Sequence, residues 1–174
     1  RVELLRGGDG LAIVRLLDSI HEFCCQEMRL WGQSDVDGVV FGDELAEEQG
    51  LLLDPDIWRE LFRPRYAEYV RILQEHDKFA LFQCPGDISC IWNDLIETGV
   101  DAIRADLGLL DEAALSARSR GRVALWGGLD VGDQLEAITP ETIRHRVREF
   151  RRQVDYGRGG VIAQCTWSVN VPLK

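Results

Sequence analysis

The apolar residues of this 174-residue chain alternate between two spacings, and this alternation restricts the fold more than any other feature. Some stretches repeat apolar residues every three or four positions, as amphipathic helices do, and short runs of β-formers lie between them. The predicted strands are 37–41, 78–83, 100–104, 122–126 and 159–165, and the predicted helices are 11–31, 55–75, 87–98, 111–119 and 139–156. Strands that alternate with helices over short connections predict an α/β fold of parallel strands and crossover helices.

Two architectures agree with this order of elements. One is an open, doubly wound sheet, and the other is part of an eight-stranded barrel, which normally takes about 250 residues. Periodicity does not distinguish them. No repeat, low-complexity tract or linker interrupts the pattern, so residues 1–174 are predicted to form a single domain.

Composition excludes several classes of partner. The net charge of −10 is opposite in sign to what binding of phosphates or of an anionic membrane surface requires, so neither nucleic acid nor membrane is expected. No apolar run approaches the roughly eighteen residues that a membrane span needs. The five cysteines show no disulfide framework, which predicts free thiols in a reducing cytoplasm.

Both architectures place chemistry at the carboxyl ends of the strands. The residues that follow the predicted strands are therefore the candidates for a functional site. They include two thiols, several carboxylates, one arginine and a glycine pair: Asp43, Glu44, Gln83, Cys84, Asp87, Arg104, Asp106, Trp126, Gly127, Gly128, Asp130, Gln164 and Cys165.

Each candidate has a structural and a functional interpretation. Asp43 can act as a base, a metal ligand or a hydrogen-bond acceptor, or belong to a solvated acidic loop. Arg104 can bind a substrate carboxylate or phosphate, but an ion pair with Asp106 or Asp87 is the favoured interpretation. The residues after the fourth predicted strand form either a tight turn or a ligand contact. They are Gly127, Gly128 and Asp130.

Four blocks of the sequence resemble the uroporphyrinogen decarboxylase superfamily, in the same order. They are DGVVFGDELAEEQGLLLDPDIWRELFRPRYAEYV, WNDLIETGVDAI, VALWGGLD and VPL, and the resemblance extends over about 11–174. It implies a (β/α)8 (TIM) barrel, of which this chain carries the C-terminal portion of about five strand–helix units. The N-terminal strands would then be absent, and the remaining part of the barrel or a homo-oligomer would complete it.

The superfamily includes two chemistries. True decarboxylases remove acetate carboxyls from a tetrapyrrole without a cofactor. A methyltransferase branch moves a methyl group from a methylated corrinoid to a thiol with zinc, and carries a His-x-Cys-Gly motif and a later cysteine. Cys165, seven residues before Pro172, lies at the place of that later cysteine, and the histidine that true decarboxylases carry there is missing.

The His-x-Cys-Gly motif aligns with this chain in two ways. In the first, Gln83 and Pro85 replace the histidine and the cysteine. In the second, Pro85 is an insertion, Cys84 keeps the cysteine place and Phe82 takes that of the histidine. The three histidines, His21, His76 and His145, fall in helices or helix-end loops under either alignment.

The resemblance favours methyl transfer, with Cys84 and Cys165 holding zinc, Asp43 completing the site and a corrinoid protein as partner. The substrate contacts would be Gln83, Arg104, Gly127, Gly128 and Asp130. The first alternative is decarboxylation of uroporphyrinogen or a related tetrapyrrole acid. The second is a barrel that binds a tetrapyrrole without turning it over, which the lost histidine supports.

Overall fold

A computed structural model of the chain describes residues 8–127, 139–154 and 159–164. Its main sheet consists of five parallel strands, and a separate two-stranded sheet contains β2 Ala46–Glu47 and β3 Gly50–Leu51. The strands of the main sheet are β1 Gly38–Gly42, β4 Phe79–Gln83, β5 Ala102–Arg104, β6 Ala124–Gly127 and β7 Val161–Ala163. The five predicted strands are thereby confirmed, with ends that differ by one or two residues where the structure describes them.

Six helices connect or flank the strands in the described part of the chain. They are α1 Gly8–Gly32, α2 Pro55–Leu61, α3 Arg63–Gln74, α4 Trp92–Glu97, α5 Glu112–Ser119 and α6 Pro140–Val154. None of these helices is long and apolar enough to cross a membrane.

The order of the strands decides between the two predicted architectures. Each strand of the main sheet pairs with the next strand of that sheet along the chain, whereas a doubly wound sheet reverses direction at a switch point. Right-handed crossovers that always advance in one direction place every helix on the same face of the sheet. The chain therefore forms a segment of a TIM barrel.

The two faces of the sheet differ in burial as a barrel segment requires. Side chains on the outer face, such as Phe82 and Ile103, are fully buried in the core that the helices cover. Val40, Phe79 and Ile162 lie on the inner face and are 46%, 60% and 39% exposed. Because alternate residues of a strand point to opposite faces, the inner face also carries Gln83, Arg104 and Trp126.

The predicted helix 55–75 is two helices. Asp54 caps α2, accepting a hydrogen bond from the Asp56 backbone N–H at 2.9 Å, as the Asp-Pro signal indicates. The break falls at Phe62, between the end of α2 and the start of α3. Pro64 in the first turn of α3 has no backbone N–H, so it cannot continue the hydrogen bonds of α2.

The α-helix predicted over 87–98 starts later, at Trp92. The Asp87 side chain accepts from the Ser89 N–H at 2.8 Å, the same kind of hydrogen bond that Asp54 makes, but the element that follows is a 3₁₀ turn, Ser89–Ile91. The predicted end is confirmed, because Gly99 follows the helix with φ of 89°. A short antiparallel hairpin, β2 Ala46–Glu47 and β3 Gly50–Leu51, is an element that the sequence pattern did not predict.

Candidate active site

The carboxyl ends of β1, β4, β5 and β6 lie side by side at one edge of the sheet. Gly42 pairs with Gln83, Gln83 with Arg104, and Arg104 with Trp126, so four strand ends form one row. An open cavity of about 520 Å³ lies beside the first two strands. It is lined by Val40, Phe41, Gly42, Asp43, Glu44, Gln83 and Pro85.

Asp43 is held at this edge by its backbone and by its side chain. Its N–H donates to the carbonyl of Gln83 at 3.2 Å. That contact depends on Gly42, since a Cβ there would lie 1.8 Å from the Gln83 carbonyl oxygen. The Tyr66 hydroxyl, from α3, donates a hydrogen bond to Asp43 Oδ2.

The environment of Asp43 raises the pKa of its carboxyl above the ordinary value for an aspartate. Partial desolvation raises the pKa of the Asp43 carboxyl, and the hydrogen bond from Tyr66 opposes part of that rise. The residue nonetheless keeps solvent contact on the cavity side. A carboxyl that is partly desolvated, oriented by a donor and open to a cavity can exchange a proton with a bound molecule.

Tyr66 is a rigid partner for Asp43. The residue is 3% exposed, and its ring packs against Phe41, Trp58 and Phe82 with centroids 5.9, 5.9 and 5.2 Å away. Burial, and then the adjacent Asp43 carboxylate, raise the pKa of the Tyr66 phenol far above its ordinary value, so it stays a donor. Sequence reasoning missed Tyr66, because one tyrosine on a helix gives no signal of which strand end it will reach.

Arg104 lies on the inner face without a carboxylate partner among the described residues. Its Nε donates to Gln164 Oε1 at 2.8 Å, and its guanidinium carbon lies 6.0 Å from the centroid of the Trp126 ring. The predicted ion pair with Asp106 or Asp87 is therefore wrong. Asp106 Oδ2 accepts from the Gly86 N–H at 2.7 Å, and Asp87 is engaged by Ser89.

Cys84 points away from the cavity. It is fully buried, on the same side of the chain as Phe82, and its Sγ lies 3.4 Å from the carbonyl of Pro85. Burial raises the pKa of the thiol, although the backbone N–H groups of Leu45 and Ala46 oppose the rise. Gln83 and Pro85, by contrast, both line the cavity. The alternation of side chains thus favours the alignment in which Gln83 and Pro85 replace the motif residues.

Comparison with known proteins identifies the family. The model of the family described as Uroporphyrinogen decarboxylase (URO-D) matches residues 11–172. The chain belongs to the uroporphyrinogen decarboxylase family. Among solved structures, a methyltransferase from Methanosarcina mazei is similar, with a TM-score of 0.60 and 13% identity. The similarity covers 82% of this chain and 40% of that chain. No curated protein sequence matches.

The zinc that the methyltransferase branch of the family uses does not fit the described residues. A catalytic zinc takes about three protein ligands, as thiolates, imidazoles or carboxylates. Within the described ranges, no group of three or more His, Cys, Asp and Glu side chains could hold a metal ion. Cys84 is fully buried and does not line the cavity, and Cys165 lies outside the described residues.

The remaining predicted site residues of this family member belong to the end of β6. Gly127 is buried, and a Cβ there would lie 2.7 Å from the Leu107 side chain, so the glycine allows close packing of that turn. A substrate contact at its backbone stays a prediction. Gly128 and Asp130 lie outside the described residues.

Proposed function

We propose that this uroporphyrinogen decarboxylase family member decarboxylates a carboxylate-bearing substrate, uroporphyrinogen or a related tetrapyrrole acid, with Asp43 as the proton-transfer group. The observation that carries the proposal is the Asp43–Tyr66 pair, open to the cavity at the carboxyl edge of the barrel strands. The remainder of the barrel would complete the pocket, since the chain spans 40% of the length of the similar methyltransferase.

The reaction requires proton transfer at a substrate carbon. The bond between the methylene carbon and the carboxylate breaks, CO₂ leaves, and the electron pair stays on the carbon skeleton, which takes up one proton. A carboxyl whose pKa is raised by desolvation holds its proton to higher pH than an ordinary aspartate, so Asp43 is suited to supply that proton. Tyr66 is a positioning residue that holds Oδ2 and leaves the other oxygen for the substrate.

Methyl transfer from a methylated corrinoid to a thiol is the second candidate function. It is supported by the place of Cys165 in the sequence resemblance and by the similar fold of the Methanosarcina mazei methyltransferase. A corrinoid protein would be the partner, and zinc would need ligands beyond the described residues. A barrel that binds a tetrapyrrole without turnover is the outcome if neither reaction occurs.

Replacing Tyr66 by phenylalanine tests the role of Asp43 through pH dependence. The Tyr66 hydroxyl lowers the Asp43 pKa, so its loss is expected to raise that pKa further. The limb of the pH profile of kcat/KM that Asp43 controls should therefore move to higher pH. The measurement is CO₂ release from uroporphyrinogen by the full-length protein, wild type and Tyr66→Phe, across the pH range.

Tyr69→Phe is a matched control for the pH profile of kcat/KM. Tyr69 is also on α3 and buried, and its ring also packs against Phe41, at 5.7 Å, but it donates no recorded hydrogen bond to Asp43. Tyr69→Phe is expected to leave the limb in place. A Tyr66→Phe profile that coincides with wild type, or one displaced to lower pH, would contradict the assignment of Asp43.

A further inference from the structure

Arg104, Trp126 and Gln164 form a cluster on the inner face that the acid–base pair does not use. Gln164 is fixed to the sheet, because its N–H donates to the Gly127 carbonyl at 2.8 Å. Its side chain then accepts from Arg104 Nε at 2.8 Å. The guanidinium lies over the Trp126 ring, with 6.0 Å between its carbon and the ring centroid. Residues on or next to three neighbouring strands, β5, β6 and β7, thus orient the side chain of Arg104.

The direction of the free guanidinium atoms follows from these contacts. Nε is occupied by Gln164, so a fork that uses Nε and one Nη is blocked. Within the part of the chain that the structure describes, neither Nη donates a hydrogen bond, so both point end-on towards a ligand there. Two parallel N–H groups at that spacing match the two oxygens of a carboxylate.

One side of the cluster is apolar. Ile162 pairs with Trp126 in the register of the sheet and is 39% exposed, whereas Gln83, the register partner of Arg104, is polar. Such a surface suits the body of a ligand whose charged end is bound by the arginine.

We propose that Arg104 is a specificity-determining residue that binds a carboxylate carried on an apolar ring, with Trp126 supporting that ring and Gln164 orienting the arginine. This inference deepens the proposed function, on which it rests, by assigning the group that selects substrates by charge. It requires a ligand carboxylate to bind end-on to Arg104, at the same sheet edge as Asp43.

The test is binding of phenylacetate to the full-length protein, followed by titration calorimetry or ligand-observed NMR, beside phenylacetamide and acetate. Phenylacetate is expected to bind wild type best, because only it has both the charge and the ring. Arg104→Gln should weaken phenylacetate binding by at least about tenfold and leave phenylacetamide binding unchanged. Arg104→Lys should show an intermediate loss, because lysine keeps the charge and loses the fork.

The matched control is Arg144→Gln, since Arg144 is exposed on α6 and pairs with Glu141 at 3.2 Å. This variant should bind phenylacetate as wild type does. The inference is overturned if wild type does not bind phenylacetate, if folded Arg104→Gln binds it equally well, or if the amide binds wild type as tightly as the acid.

Measuring CO₂ release from uroporphyrinogen beside phenylacetate binding distinguishes a failure of the carboxylate subsite from a failure of the proposed decarboxylation. Phenylacetate binding that depends on Arg104, without CO₂ release from uroporphyrinogen, would leave the carboxylate subsite standing and remove the proposed decarboxylation. CO₂ release that depends on Asp43, with an unchanged KM in Arg104→Gln, would keep the reaction and remove the subsite.

Discussion

Asparagine in place of Asp43 is expected to lower kcat for CO₂ release by about 10²–10⁴-fold, the range that a positioned general acid contributes. Asparagine keeps the size of the side chain and an oxygen that can accept from Tyr66, so the hydrogen bond at this strand end can persist. It cannot deliver a proton. The loss should therefore appear in kcat, with the thermal midpoint close to that of wild type.

Glu44 provides the matched control for Asp43. It is the next residue, it also lines the cavity and it is exposed, but no hydrogen bond to Tyr66 is recorded for it. Glu44→Gln is expected to keep most of the wild-type kcat. A Glu44→Gln variant that loses as much activity as Asp43→Asn would mean that local negative charge is the requirement, rather than a proton at Asp43.

Truncation of Phe82 to alanine is expected to lower the free energy of unfolding by about 3–5 kcal/mol, as is usual for a fully buried phenylalanine. Phe82 is fully buried on the outer face of β4, and its ring lies 5.8 Å from Phe41 and 5.2 Å from Tyr66. The cavity left by the ring would remove packing on both sides, including a contact that holds Tyr66. Urea unfolding of the 174-residue chain, followed by circular dichroism, measures the change.

Phe79 is the control on the same strand. It is 60% exposed, at the start of β4 and on the opposite face. Phe79→Ala in the same chain is expected to change the free energy of unfolding by only about 0.5 kcal/mol or less. Equal losses for the two variants would contradict the assignment of one covered and one open face.

The fold was largely predictable because its signals are local. The strand at 78–83 is a short apolar run between turns, and Asp54-Pro55 marks the start of α2 by capping chemistry that involves adjacent residues. The choice of a barrel over a doubly wound sheet depended on the order of strands, which periodicity does not encode. The family resemblance supplied that choice, and the strand order confirmed it.

The partners at the candidate site were less predictable because they join distant parts of the chain. Tyr66 reaches Asp43 from a helix 23 positions later, and Gln164 reaches Arg104 over 60 positions. The expected pairing of Arg104 with a nearby aspartate failed since Asp106 is turned to the Gly86 backbone. Whether the Cys84 side chain points to the core or to the cavity depends on where β4 ends. A shift of one residue in the alignment with the His-x-Cys-Gly motif exchanges the buried and the cavity-lining positions.

The central claim is that Cys84 belongs to the core and does not hold a metal at the carboxyl edge of the sheet, where Asp43 is the proposed reactive group. The most direct test is the metal content of the purified full-length protein, by elemental analysis, for wild type and Cys84→Ala, with Cys165→Ala beside them. The account predicts that Cys84→Ala leaves the zinc content unchanged. About one zinc per chain in wild type, lost in a folded Cys84→Ala variant, would make Cys84 a ligand and contradict the account.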